Sequence, residues 1–536
     1  MPDPDVGRKA MTGLGVRIRS VGATAKGRAR RFLRRFMTRR GGVAMMFGLS
    51  FIPLSMLTLT AIDFHRASTI KSALQGALDS AALAAARSEA TDPNEIQAIG
   101  LRVLQANMGT YPDATVSNVN ILLNEDGTIS ATARVDVDPL VSDLFLGGPM
   151  NVNAAAEVVR ANDKLEIALV LDNTGSMAGT KIATLRTAAA NLVDDLTEAA
   201  RSNPDPDAIK IGLVPFSMTV RLDPDYQNAV WIDGSARSSL HDLVFDGAGN
   251  RFAMLNKIGL SWAGCVESRP YPHDVQESPP HPNNSDTLYV PYFAPDTPDT
   301  DQVWAFRYYS SENDYLPDGI SSSSSSYGKW FKHQGRTQKY RKNGLDTSNG
   351  KGPNRGCTME PIARLTADTD EIKTSISNMV ATGNTNIPMG LMWGWHLLSP
   401  NAPFRDGAPY DDDEVTKVVI LMTDGDNVNS GYYSPNESTY SGLGYIWMER
   451  LGLGLGSSDW ARTRAMDERL AELCDNMKTQ GIVLYTVRVE VKSGSSSLLQ
   501  NCASKADYFY DVQNVADLGD AFEQIAGQIS RLRISR

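Results

Sequence analysis

Thiol and zinc chemistry have little to work with in this chain. Four cysteines occur in 536 residues, Cys265, Cys357, Cys474 and Cys502, and no two of them form a C-x-x-C pair. That spacing excludes a zinc ribbon or a thioredoxin-like redox site. The six histidines are scattered, and no H-E-x-x-H occurs, so the zinc-protease pattern is missing as well. No nucleophile stands beside a base in a hydrolase-like arrangement. An internal repeat is lacking. A basic overall balance is lacking too, since the net charge is −10.

The charge is unevenly spread. Residues 1–40 hold twelve Lys and Arg against Asp3 and Asp5, a segment of +10 that leaves −20 on residues 41–536. A basic arm on an acidic body is not in itself a nucleic-acid pattern, and the next segment decides how to read it. Val43–Ile62 (VAMMFGLSFIPLSMLTLTAI) is twenty residues without a charge. As a helix it spans about 30 Å, the thickness of a bilayer core. Pro53 within it is tolerable in a membrane helix. The positive-inside rule puts residues 1–40 in the cytoplasm and everything after the span outside. A cleaved secretory signal is the alternative. The run is longer than an h-region, and no A-x-A site follows closely. The expectation is therefore a single-pass inner-membrane protein of a bacterium. Outside the cytoplasm an even cysteine count suggests disulfides. Three pairings are open, and chain order favours Cys265–Cys357 with Cys474–Cys502.

Asp63–Ala90 repeats Ala and Leu at three- and four-residue spacing, which predicts a helix continuing outward from the membrane. A helix over Glu95–Met108 follows, with Pro93 near its start. Thr115–Leu123 and Thr128–Val137 alternate as a hairpin about Asp126-Gly127, and a further strand is expected near Val152–Val159. From Leu165 the pattern changes. Leu165–Leu171 (LEIALVL), Ile209–Phe216, Thr416–Met422 and Ile482–Val489 are apolar runs of the kind buried on both faces of a parallel sheet. Helices are expected over Lys181–Ala200, Asp370–Val380, Pro388–Leu398, Arg464–Gln480 and Ala516–Leu532. Strands alternating with helices predict an α/β, doubly wound, Rossmann-like fold. The rhythm lapses over 221–356, rich in Pro, Asp, Ser, Tyr and Trp, and over 430–460, rich in Gly, Ser and Tyr. These read as insertions: the first functional or partly disordered, the second a contact loop or a plain solvated loop. The organisation expected is a cytoplasmic arm (1–40), a transmembrane helix (41–63), a helical stalk with a small α+β unit (64–161) and an α/β domain (162–536).

Three segments carry chemistry. Asp172-Asn173-Thr174-Gly175-Ser176-Met177 follows the first buried strand. Gly383-Asn384-Thr385-Asn386 lies between two helices. Thr423-Asp424-Gly425-Asp426-Asn427 follows a later strand. Ligands in open α/β sheets bind beyond the carboxyl ends of the strands. The side chains offered there are hard oxygens, carboxylates and hydroxyls, which suit Mg²⁺ (or Mn²⁺, Ca²⁺). Few carboxylates leave such an ion electrophilic, which is a logic of binding rather than of catalysis.

D-x-S/T-x-S-M after a buried strand, then G-x-T, then T-D-G is similar to the metal-ion-dependent adhesion site (MIDAS) of von Willebrand factor A (vWA) domains. The resemblance covers Leu165 to about Leu532. It implies metal ligands at Asp172, Thr174 and Ser176 in the first loop, Thr385 in the second and Asp424 in the third. Thr174 stands where serine is commoner and keeps the hydroxyl. Two rivals use the same letters. The D-T-G-S of aspartic proteases would need the acid one residue later and a second copy. The D-K-T-G-T of phosphoryl-transferring pumps would need a lysine where Asn173 stands.

A second resemblance lies further upstream. Gly41-Gly42-Val43-Ala44-Met45-Met46-Phe47, Asp63-Phe64-His65-Arg66 and Leu74-Gln75-Gly76-Ala77-Leu78-Asp79 resemble the N-terminus of TadG-like proteins of tight-adherence (Flp-type) pilus assembly. No glutamate follows Gly41 or Gly42 by five residues, so prepilin-type cleavage is not expected. Together the two resemblances imply a non-enzymatic pilus assembly or anchoring factor. They imply a protein partner offering a carboxylate, within the pilus machinery, and neither a nucleic acid nor a small-molecule substrate. A surface adhesin or matrix-binding vWA protein unconnected to pili is the alternative.

Overall fold

A computed structural model describes residues 42–534 except 89, 91, 113, 125–127, 140–148, 160–163, 202, 204, 248, 300–312, 319–326, 433 and 492–495. The basic arm, the serine run at 321–326 and the Asp126-Gly127 turn lie outside the described residues. The chain divides into two compact units. One takes in the described residues up to Ala84, with 97–122 and 130–157; the other takes in 85–96, 123–129 and 158 onward.

Helix α1 (Gly42–Ala86) runs 45 residues through Pro53. It is long and apolar enough to cross a membrane. Leu49 is 77 % exposed and Phe51 58 %, a distribution suited to lipid rather than water. Its hydroxyls turn back on the helix: Ser55 donates to the Phe51 carbonyl at 2.7 Å and Thr60 to the Met56 carbonyl at 2.8 Å. Polar side chains satisfied in this way suit a hydrocarbon environment. Beyond Ile62 the exposure becomes one-sided, with Leu74, Ala77, Leu78 and Ala81 buried. Helix α2 (Pro93–Met108) follows. Strands β1 (Ala114–Leu123), β2 (Thr128–Val137) and β3 (Met150–Val159) form a three-stranded sheet in that order. Gln75 of α1 donates to the Ala155 carbonyl of β3 at 2.9 Å, and Gln97 of α2 accepts from the Ile121 amide of β1 at 2.7 Å.

The larger unit is built on β4 (Lys164–Asp172), β5 (Ile209–Phe216), β9 (Val415–Thr423), β10 (Val483–Val489) and β11 (Phe509–Val512). Short β6 (Val220–Arg221), β7 (Cys265–Val266) and β8 (Ala363–Thr366) complete an eight-stranded sheet. Its order is β11-β10-β9-β4-β5-β6-β7, with β8 also on β5. From β11 to β5 the strands run parallel, and β6, β7 and β8 are antiparallel additions. The α/β doubly wound expectation holds.

Side chains alternate across β4. Ile167, Leu169 and Leu171 enter one core with α3 (Thr180–Ala200), α6 (Thr369–Asn378) and α10 (Leu518–Ile534). Ala168 and Val170 enter the other with α7 (Ile387–Leu398), α8 (Asp459–Thr479) and α9 (Ser496–Cys502). Helix α8 begins five residues before the expected Arg464, because Ser458 caps it by accepting from the Ala461 amide at 3.2 Å. Strands β8 and β11, four residues each, were too short to show a period.

The insertions add a finding that the sequence left open. The described part of 221–356 is packed, with α4 (Arg251–Ile258), α5 (Tyr327–Gln334) and several short 3₁₀ turns. Tyr289, Tyr292, Phe293, Tyr315 and Tyr340 are at most 2 % exposed and extend the second core. In the segment 430–460, Tyr440, Tyr445 and Met448 join the same core, which goes against a plain solvated loop. Aromatic burial without regular backbone leaves no periodicity to read. Both disulfides follow chain order, Cys265–Cys357 and Cys474–Cys502.

Candidate functional site

Strands β4 and β9 are neighbours, yet the chain reaches β5 from β4 before it returns to β9. Crossovers therefore leave in opposite directions from this pair, and the gap beyond their carboxyl ends is the switch point of the sheet. Parallel register sets Leu171 opposite Met422. Asp172 and the Thr423-Asp424 pair thus emerge side by side although 252 residues separate Asp172 from Asp424.

Asp172 is completely buried. One oxygen accepts from the Thr174 amide at 2.8 Å, and the other from the Thr423 hydroxyl at 2.7 Å and the Asp424 amide at 3.4 Å. Burial, then the charge of Asp424, pushes its carboxyl up to about 6 despite those bonds. Thr174 Oγ1 and Ser176 Oγ share a hydrogen bond of 2.9 Å. Ser176 donates onward to Asp424 Oδ1 at 2.7 Å. Four of the five expected residues thus form one hydrogen-bonded chain, through Thr423 and the backbone.

The fifth, Thr385, is brought near through main chain. Gly175 N donates to the Gly383 carbonyl at 2.9 Å, and Thr382 N to the Asn173 carbonyl at 2.7 Å, lacing the second loop to the first. Val428 N donates to the Thr385 carbonyl at 2.8 Å, tying the second loop to the third. Gly383 makes the turn with φ +73°, and a Cβ there would meet Ser217 Oγ and Met218 Cε at 3.0 Å. Thr385 is buried as a residue, and among the described residues its hydroxyl makes no hydrogen bond to the other four.

Sequence reasoning passed over Lys181, placed only as the first residue of a helix. Its Nζ lies 2.7 Å from Asp424 Oδ2. A lysine in a first helical turn reads as solvated, and no local signal marks it otherwise.

Among the described residues no group of three or more His, Cys, Asp or Glu could hold a metal. The donors are two carboxylates and hydroxyls, a hard set that fits Mg²⁺ and not a soft ion. Two neighbouring carboxylates, one of them buried with its proton affinity raised by burial and by the other, form a setting that a cation relieves.

Residues 41–88 match the family model Tad, described as Flp pilus-assembly TadE/G-like. No curated protein matches the chain. Among solved structures, the vWF domain of the type V pili tip protein Mfa5 from Porphyromonas gingivalis is similar at 11% identity and a TM-score of 0.30, covering 70% of this chain and 97% of that one. The pilus adhesin RrgA from Streptococcus pneumoniae is similar at 11% identity and a TM-score of 0.30, over 78% of this chain and 49% of that one. The pilus adhesin SpaC from Lactobacillus rhamnosus GG is similar at 12% identity and a TM-score of 0.29, over 79% and 35%. The chain therefore spans nearly all of the Mfa5 domain but about a third to a half of the two adhesins. What these observations establish is a TadE/G-like segment at residues 41–88 on a chain whose larger unit is a doubly wound α/β head.

Proposed function

We propose that this chain is a non-enzymatic, membrane-anchored factor for assembling or anchoring surface pili, whose head grips a partner protein through a vWA-type metal site. The observation that carries the reading is the meeting of Asp172, Thr174, Ser176 and Asp424 at the switch point of the sheet, on a chain with a TadE/G-like N-terminal segment. Helix α1 anchors the protein, with residues 1–40 in the cytoplasm by the positive-inside rule.

In this reading Asp172, Thr174, Ser176, Thr385 and Asp424 hold Mg²⁺. When bound, the ion supplies an electrophilic centre that takes a carboxylate oxygen from the partner. Thr423 and the Thr174 amide keep the Asp172 carboxylate in place. The main-chain bonds that lace the second loop to the first and third support Thr385 as the fifth ligand.

Cells whose only copy carries Asp172→Ala, at normal abundance and membrane-bound, are expected to lose surface pili by electron microscopy. Unchanged piliation would defeat the pilus role of the site and favour the adhesin reading.

A further inference from the structure

Lys181 raises a question that the ligand set leaves open. It stands in the first turn of α3, five residues after Ser176. The Asp424 side chain is fully buried and that of Lys181 only 21% exposed, with Nζ 2.7 Å from Asp424 Oδ2. Asp424 Oδ1 meanwhile accepts from Ser176. The third-loop carboxylate is thus held on one side by a hydroxyl and on the other by a cation of the chain itself. A divalent ion reaching Asp424 would face that ammonium across one carboxyl group, and like charges at such range repel strongly where water is scarce.

A second acceptor is in reach. Glu490 Oε2 lies 3.8 Å from Lys181 Nζ, beyond a hydrogen bond but close enough for a side-chain rotation to close. Glu490 follows β10, the strand beside β9. Its other oxygen accepts from the Val515 amide at 3.0 Å, and its own amide donates to the Val512 carbonyl at 2.8 Å. Its backbone sits at φ +53°, a conformation that a non-glycine residue holds only when its surroundings impose it. One carboxylate oxygen is thus held by the Val515 amide, and the other is the one nearer the lysine.

We propose that Lys181 is a stand-in cation, which neutralises Asp424 while the head is ion-free and moves onto Glu490 when a divalent ion takes its place. The competition lowers the affinity of the site below what its oxygen ligands would give alone. Lys181 is on this account a positioning residue that sets how readily the head loads. The inference rests on the metal-site reading above.

The test is Mg²⁺ titration of the full-length protein in lipid nanodiscs by calorimetry, with melting temperatures in EDTA and in Mg²⁺. Lys181→Met is expected to bind Mg²⁺ about tenfold more tightly, one decade in Kd. Its melting temperature should fall in EDTA and be restored in Mg²⁺. Glu490→Gln should bind about threefold more weakly than the parent, and its effect should vanish in the Lys181→Met background. Unchanged or weaker binding by Lys181→Met overturns the proposal and leaves the metal site standing. Should Lys181→Met not fold, unchanged affinity in Glu490→Gln overturns it equally. No Mg²⁺ response in parent or variants would remove the metal reading and this proposal together.

Discussion

The head contains two regions that reach the same burial by opposite means. In the central sheet, β4 pairs with β5 and β9 along its length, so the backbone is satisfied by repetition and side chains need only be apolar. In the insertions repetition is lacking. Trp231 is ringed by Tyr226 at 5.2 Å, Tyr289 at 6.1 Å, Trp393 at 6.2 Å and Phe404 at 6.1 Å between centroids. Buried Glu267 holds together Arg251, Arg450 and Tyr440, from both insertions. Two guanidinium groups depend there on one carboxylate. A core made by periodicity spreads its stability over many equal contacts, whereas a core made by rings and ions concentrates it in a few.

That contrast can be broken by experiment. All eight tryptophans fall between 231 and 460, so fluorescence in a urea titration reports the head, with far-UV circular dichroism as a second probe. The largest loss is expected from opening Cys265–Cys357, which spans 92 residues of sequence. Replacing both with serine should reduce stability by about 4 kcal/mol, and native protein with four titratable thiols would refute the bridge outright. Glu267→Ala strands two buried arginines and should cost about 3–4 kcal/mol. The fluorescence transition should then precede the dichroism transition, because the insertions open before the sheet. Coincident transitions would mean that the two regions form a single cooperative body. Leu169→Ala, in the sheet, should cost about 3 kcal/mol and move both probes together. The smallest effect is expected from Asp368→Ala. It removes the cap that accepts from the Asp370 and Glu371 amides at 3.2 Å, at a cost of about 1 kcal/mol.

The same contrast explains what was legible. Ile209–Phe216 stands as expected, because a strand covered on both faces must be apolar throughout. Polar positions in the insertions hid their burial. Asn313 is 1% exposed because its amide serves the Ala294, Pro295 and Gly352 carbonyls, a duty no composition announces. At the site, Asp172, Ser176 and Asp424 were legible from their motifs. Lys181 was not, since its partner lies 243 residues away.

By itself the sequence determined the apolar span of α1, the buried strands and the oxygen character of the site. Each depends on residue type within a window of about twenty residues or fewer, where burial and periodicity act locally. Only the tertiary structure decided that β9 returns beside β4, that Asp424 meets Ser176, and that Lys181 stands against Asp424. Those depend on which strands pair across hundreds of residues, and pairing is settled by the packing of the whole sheet, for which no single segment carries a signal.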